Sequence, residues 1–210
     1  MQLFYSPALT VETKHYTFSK EESKHIVRVL RKKEGDVLKI TNGKGAIFSA
    51  KITLADQKNC MVEVISYELQ EARKYKLHLA VAPTKINDRF EWFLEKATEI
   101  GIDTITPILC DHSERKVIKV ERFEKIIQSA TKQSLSAYLP ILNPLTPFSE
   151  FINTHTNDQL CIAHCEENQK QSLKQALQLQ KDVTILSVPK VIFHLKKLKS
   201  HFKKDIHLLH

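Results

Sequence analysis

The sequence predicts a small β domain with one helix followed by an α/β domain built on a parallel sheet. Three observations carry this expectation. Up to residue 66, short alternating stretches and glycine-containing turns dominate, with a single helical pattern among them. From residue 77 onward, short apolar runs alternate with helical patterns, as strands do when helices cover both faces of a parallel sheet. Between the two, residues 67–76 (YELQEARKYK) are polar and have the composition of a linker. The expected domains are therefore 1–70 and 71–210.

Taken in order, residues 2–5 (QLFY) open the chain as a strand. Ser19 with Glu22 three residues later makes a capping box. The helix it starts, EESKHIVRVLR, buries Ile26, Val27 and Leu30 and leaves His25, Arg28, Arg31 and Lys32 elsewhere. Residues 37–41 alternate, Asn42-Gly43-Lys44-Gly45 is a hairpin turn, and 46–54 and 60–66 supply two more strands. In the second domain a strand over 77–82 leads through Pro83 to a helix over 88–100. Asp88 with Glu91 is expected to cap that helix and Gly101 to end it, and Phe90, Phe93, Leu94, Ala97 and Ile100 share its apolar face. Then follow a strand at 104–109, helices at 121–138 and 148–154, a strand at 159–163, a helix at 170–179 and a strand at 183–187. No internal repeat interrupts the series.

Hydrophobic content of 42% and charged content of 27% are ordinary for a soluble domain. No stretch approaches the roughly 20 apolar residues of a membrane span, and the first ten residues lack the features of a signal peptide, so a cytoplasmic protein is expected. Its four cysteines then read as reduced thiols. Cys161-Ile-Ala-His164-Cys165 invites a metal reading, but no second ligand pair stands at zinc-site spacing, and the end of a buried strand is expected instead, with no metal. The net charge of +8 points towards nucleic acid. Six lysines and one aspartate fall within 187–210, so +5 of the +8 lies in that last stretch. All four glycines (35, 43, 45 and 101) lie in the first half. That is odd for an α/β domain, whose ligand loops usually need backbone that only glycine allows.

Nothing matches a nucleophilic triad, a P-loop or a dinucleotide fingerprint. Four groups of residues remain. Lys85 and Arg89 follow the strand 77–82, at the end where such sheets bind ligands. His25, Arg28 and Arg31, with Lys32 and Lys33, could meet phosphates or simply face solvent. Asp111-His112-Ser113-Glu114-Arg115 follows the strand 104–109, and an arginine there can hold an anion bidentately. Gln133-Ser134 sits late in a helix, where polar residues usually face solvent.

The order of HIVRVLR, EWFLEKATEIG, PILCDHSER, and ERFEKIIQSATKQS with YLPILNP resembles the bacterial 16S rRNA (uracil-N3) methyltransferases of the knotted SPOUT superfamily. The resemblance covers roughly residues 1–186. Its most specific parts are 95–101 and 113–115. It implies a PUA-like β-barrel that helps bind RNA, and an α/β domain that binds S-adenosylmethionine in a trefoil knot and forms a homodimer. Small-subunit rRNA or the subunit itself would be the partner, and no membrane is involved. On that resemblance His25, Arg28 and Arg31 become RNA contacts, and Lys85, Arg89, Arg115 and Gln133 lie around the substrate end of the second domain. Uridine N3 must lose a proton before it can attack the sulfonium methyl. Arg115 is the candidate to stabilise that anion. Glu99 is better placed to pair with a neighbouring base, so the residue that takes the proton is left open.

After the strand 183–187 the resemblance breaks. The family continues Ile-Gly-Pro-Glu-Gly-x-Phe-Ser, which supplies its cofactor loop, whereas this chain reads Ser187-Val-Pro-Lys-Val-Ile-Phe-His194. Written as TCG GTC CCG AAG GTG ATT TTT CAC with one A in front, the same bases regroup as ATC GGT CCC GAA GGT GAT TTT TCA, which encodes Ile-Gly-Pro-Glu-Gly-Asp-Phe-Ser. Residues 187–210 are therefore read as out of frame. The alternative is a genuine tail with a basic helix at 194–204. Leu186 is what remains of the cofactor-binding stretch, the knot is expected to be incomplete, and the chain as written is expected to bind S-adenosylmethionine weakly or not at all. Two rival readings are a non-catalytic RNA-binding protein with a degenerate cofactor site and an α/β binding protein unrelated to RNA.

Overall fold

The computed structural model describes residues 2–110, 113, 115–154, 159–163, 172–178, 180–187 and 206–209. These fall into two compact bodies, residues 1–72 with 128–139, and residues 73–127 with 140–210. The segment 128–139, which the sequence assigns to the second domain, groups with the first.

In the first body β1 (Leu3–Tyr5), β3 (Val37–Thr41), β4 (Ala46–Leu54), β5 (Met61–Leu69) and β2 (His15–Thr17) form one sheet in the order β1-β3-β4-β5-β2. β1 runs parallel to β3 and the other pairs are antiparallel. Alternation on β4 sends Ala46, Phe48, Ala50 and Ile52 into the core, where they meet Phe4, Phe18, Ile26 and Ile40. β5 continues three residues past the expected end, because Tyr67 lies against Phe48 and Leu69 pairs with Ala46. The polar linker is shortened accordingly. β2 is too short and too polar to have shown in the alternation, with only Tyr16 half-buried.

Ser19 caps α1 (Lys20–Lys24) by accepting the Glu22 N–H at 3.3 Å. The expected long helix does not continue. A π-helical turn takes over at His25–Val29, with the Leu30 N–H donating to the His25 carbonyl at 2.9 Å. Arg31 then leaves in the left-handed region, at φ 53°.

The hairpin turn between β3 and β4 is fixed by a contact from far along the chain. Gly45, at φ 99°, donates to the Ala137 carbonyl at 2.9 Å, and a Cβ there would lie 2.5 Å from the Tyr138 hydroxyl. That hydroxyl is itself held by the Gln70 carbonyl at 2.7 Å, so the ring cannot retreat freely. Gly45→Ala is expected to cost at least about 2 kcal/mol, the left-handed penalty plus the displaced ring. Urea unfolding against the parent protein checks this; a loss under about 0.5 kcal/mol, the usual range for an inert surface change, would count against it.

The second body holds a parallel sheet in the order β12-β10-β11-β6-β7-β8, with β9 also pairing with β7. Its strands are β6 (Leu77–Val81), β7 (Thr104–Leu109), β8 (Ile141–Leu142), β9 (Thr146–Pro147), β10 (Gln159–Ala163), β11 (Val183–Ser187) and β12 (Ile206–Leu209). Its helices are α2 (Asn87–Ile100), α3 (Val120–Gln133), α4 (Phe148–Thr154) and α5 (Leu173–Ala176), residues 128–133 of α3 grouping with the first body. Ala80, Ile108, Leu160, Ile162 and Leu186 build the core with Phe151 and Ile152 of α4. Phe90 of α2 lies 5.1 Å from Phe123 of α3, centroid to centroid, both fully buried. Each such ring contributes about 1.5–3 kcal/mol by leaving water.

Three expectations about helices are corrected. α2 has no side-chain cap, because Ile86 holds the N-cap position and Asp88 lies inside the first turn. Thr98 rather than Ile100 completes its buried face; Ile100 is 75% exposed. α3 stops at Gln133, where Leu135 turns left-handed at φ 56° and the Ser136 N–H closes on the Thr131 carbonyl at 3.1 Å. Gly101 ends α2 in the left-handed conformation, as its position suggested. The proposed basic helix at 194–204 lies outside the described residues, and of the expected helix 170–179 one turn is described. β12 places a short run from the atypical tail beside β10, in parallel register.

Candidate functional site

Adjacent strands β6 and β7 run parallel, so the loops that leave their carboxyl ends emerge side by side. One carries Lys85 into α2 and the other carries Ser113 and Arg115 into α3. Ser113 tightens the second loop by accepting the Cys110 N–H at 2.9 Å and returning its own N–H to the Cys110 carbonyl at 2.9 Å. Arg115 reaches back across, donating to the Asn87 side-chain oxygen and, at 2.7 Å, to the Lys85 carbonyl. The result is a cavity of about 500 Å3 walled by Lys85, Asn87, Arg115, Lys116, Lys119 and Arg122.

Among the described residues, the charges of Arg115, Lys116 and Lys119 in this cavity are not cancelled. Arg122 is engaged by Glu91 in a two-pronged pair, Nε to Oε1 at 2.7 Å and Nη2 to Oε2 at 2.9 Å, which holds its proton more firmly. Arg115 spends its contacts on a neutral amide and a carbonyl. Lys116 and Lys119 are exposed and have no carboxylate partner among the described residues. Such surplus positive charge in a concave wall attracts anions. Glu99 faces no such task, because Lys96 holds it at 2.9 Å and also holds Glu95, whose carboxyl it keeps below the ordinary range.

A second concavity, about 320 Å3, lies in the first body. Gln2, His25, Glu22, Ser129, Lys132 and Gln133 line it, with Leu3 and Phe4 as its apolar wall. The π-helical turn presents His25 there, with Nε2 3.1 Å from Gln2 Nε2 and the ring edge-on to Phe4 at 6.4 Å. Such turns recur at functional positions. Lys132 pairs with Glu22 at 3.2 Å.

Among the residues named from sequence, the structure thus brings Lys85 together with Arg115, and His25 together with Gln133. Arg28, Arg31 and Arg89 are exposed and line neither concavity. The face shared by 28, 31 and 32 does not form, because the π-turn and the left-handed Arg31 break the helical spacing. Leu186 is fully buried, its backbone in register with Ile162 and Ala80 in the sheet. Sequence reasoning missed Asn87, Lys116, Lys119 and Arg122; the basic recurrence at 116, 119 and 122 was the available signal. Gln2, Ser129 and Lys132 gave none.

The cofactor implied by the resemblance would need backbone close to it after β11. That strand is complete to Ser187, whose carbonyl accepts the Ala82 N–H at 3.1 Å. Residues 188–205, where the expected knot would lie, are outside the described ones. No glycine stands anywhere after residue 101, so the residues present do not fit a group that demands glycine's close approach. Cys161 is buried in β10, where burial pushes its thiol up and leaves it a poor nucleophile or ligand. His164 and Cys165 lie outside the described residues.

An RNA methyltransferase domain family matches residues 71–189, and an RNA methyltransferase PUA domain family matches residues 18–65. The ribosomal RNA small subunit methyltransferase E of Buchnera aphidicola (subsp. Acyrthosiphon pisum, strain APS) is 32% identical over 157 residues, covering 71% of this chain and 62% of its own length. The chain thus spans less than two thirds of that relative. A probable rRNA-methyltransferase from Porphyromonas gingivalis has a solved structure that matches with a TM-score of 0.89 at 35% identity, over 100% of this chain and 88% of that one. The small subunit methyltransferase E of Neisseria gonorrhoeae, solved bound to S-adenosyl methionine, shares the fold with a TM-score of 0.81 at 18% identity, over 100% and 88% of the two chains.

Proposed function

As this chain belongs to the RNA methyltransferase family, we propose that it is built to methylate N3 of a specific uridine in small-subunit (16S) ribosomal RNA with S-adenosylmethionine. The observation that carries the reading is the cavity with surplus cations at the carboxyl ends of β6 and β7, within the segment that the methyltransferase family covers. Lys85, Lys116 and Lys119 hold RNA phosphate there, and Arg115 faces the target base. His25, Arg28, Arg31 and Gln133 on the first body and Arg89 on the second supply further RNA contacts. The RNA methyltransferase PUA match supports an RNA role for the first body. No helix among the described residues is long and apolar enough to cross a membrane. Action in the cytoplasm, on ribosomal RNA or the small subunit, and as a homodimer, belongs to the same proposal.

In the chain as written, the glycine-free stretch after β11 favours a second reading, an RNA-binding protein whose cofactor site is degenerate. Both readings require phosphate contacts, so binding to a ribosomal RNA fragment is expected to weaken steeply with salt. Lys116→Ala and Lys119→Ala should each lower the slope of log affinity against log salt by about 1. A flat salt dependence in the parent protein would remove the RNA reading altogether. Methyl transfer to rRNA from a strain lacking the enzyme separates the two readings once the frame is repaired, since the second predicts none.

A further inference from the structure

We propose that the concavity lined by Gln2, His25 and Gln133 in the first body is a base-reading subsite, which takes one unstacked nucleobase of the RNA. The inference rests on the RNA reading above and assigns this pocket a different task from the cationic cavity.

The difference lies in charge and donor pattern. Glu22 and Lys132 neutralise one another at 3.2 Å, and among the described residues the pocket's lining has no further Lys or Arg with which to hold a phosphate. What it offers instead are two carboxamides, Gln2 and Gln133, and the Ser129 hydroxyl. A carboxamide sets a donor beside an acceptor, the pattern that also lies along the hydrogen-bonding edge of a nucleobase. Leu3 and Phe4 give an apolar wall, and the His25 imidazole is an aromatic plane of the kind on which unstacked RNA bases lie. At about 320 Å3 the space is small. It falls at the low end of small-ligand pockets, about 300–1,000 Å3, which suits one nucleotide and not a duplex.

The division follows the general rule that phosphate contacts position an RNA-binding protein while base contacts give sequence preference. Gln133 reaches the pocket because α3 ends there, its last turn closed by the left-handed Leu135. His25 reaches it because the π-turn presents the imidazole to Gln2. Both features are local departures from regular helix, and both bring a polar side chain to this one spot.

The test uses the 210-residue chain with four fluorescent homopolymer oligoribonucleotides of about twelve nucleotides, a length within reach of one or two single-strand sites. Anisotropy is read at two salt concentrations for the parent protein, Gln133→Ala and Gln2→Ala. Gln133 is exposed at a helix end, so its replacement leaves the core untouched. The parent is expected to prefer one base. Each variant should lose about 5- to 30-fold on that homopolymer, stay within about twofold on the others, and keep the parent's salt slope. Equal losses on all four with a shallower slope would make these residues phosphate contacts and overturn the assignment. So would unchanged affinity in both variants, or a parent that binds all four alike. A parent that binds none of them overturns the RNA reading itself, and this subsite with it.

Discussion

Restoring one base ahead of codon 187 should turn a chain with little affinity for S-adenosylmethionine into one that binds it at micromolar concentration. The expected gain is at least about a hundredfold, or roughly 2.7 kcal/mol, read by calorimetry on the two purified proteins. The scaffold for that gain is already present. β11 is paired on both sides as far as Ser187, in register with Ala163 and Val81, so a restored loop would follow directly from the strand's end. The bases implied by 187–194 regroup into a glycine-containing loop, and the same shift accounts for the composition beyond it. Every lysine codon begins with two adenines. One base out of register, those adenines become the last two bases of a codon that encodes glutamate whenever the base before them is G. In that reading Lys190, preceded by the G of CCG, becomes glutamate, Lys203 after a Phe202 codon ending in C becomes glutamine, and Lys204-Asp205 regroups to admit a glycine. Sequencing of the coding DNA gives an independent answer. If no single-base change opens an extended frame with the Gly-Pro-Glu-Gly stretch, the proposal is wrong, and micromolar binding by the unrepaired chain would sink it equally. Strand β12 belongs to the present frame and would be replaced in the repaired chain.

Much of the second body could be read from sequence, and the reasons are local. Strands β6, β7, β10 and β11 are short apolar runs, and buried parallel strands carry that pattern. Gly101 sat where a helix must turn left-handed. What escaped was set by residues distant in sequence. The segment 128–139 belongs with the first body because the Thr41 hydroxyl donates to the Ala137 carbonyl at 3.1 Å and Tyr138 bonds Gln70, contacts across 96 and 68 residues that periodicity cannot see. β8 and β9 are two residues each and have no period to detect. The π-turn inserts one residue into an otherwise helical pattern, and its consequence is the separation of His25 from Arg28 and Arg31. Lys85 and Arg115 were legible because strand ends in α/β sheets bind ligands; Asn87, which orients Arg115, had no signal of its own.

Arg115 is the residue in the cationic cavity whose loss should cost most. In the frame-repaired protein, Arg115→Ala is expected to slow single-turnover methyl transfer to rRNA by about 10²–10³, the usual effect of removing a preorganised charge donor. In the proposed reaction the uracil would become an anion as N3 gives up its proton, and a fixed guanidinium would stabilise that anion more than the neutral base. Fixing is what the structure supplies. The half-buried Arg115 donates to Asn87 and to the Lys85 carbonyl, which leaves part of its five-donor fork free to face the cavity. Arg115→Lys should recover little, because one ammonium cannot bond both anchors and still present a donor to the base. Asn87→Ala should fall between, since it loosens the guanidinium without removing its charge. S-adenosylmethionine affinity should stay within about twofold in all three, since 1.4 kcal/mol would already show as tenfold. A rate for Arg115→Ala within a factor of about ten of the parent would deny it this role, and a rate loss matched by lost RNA affinity would make it a binding residue instead.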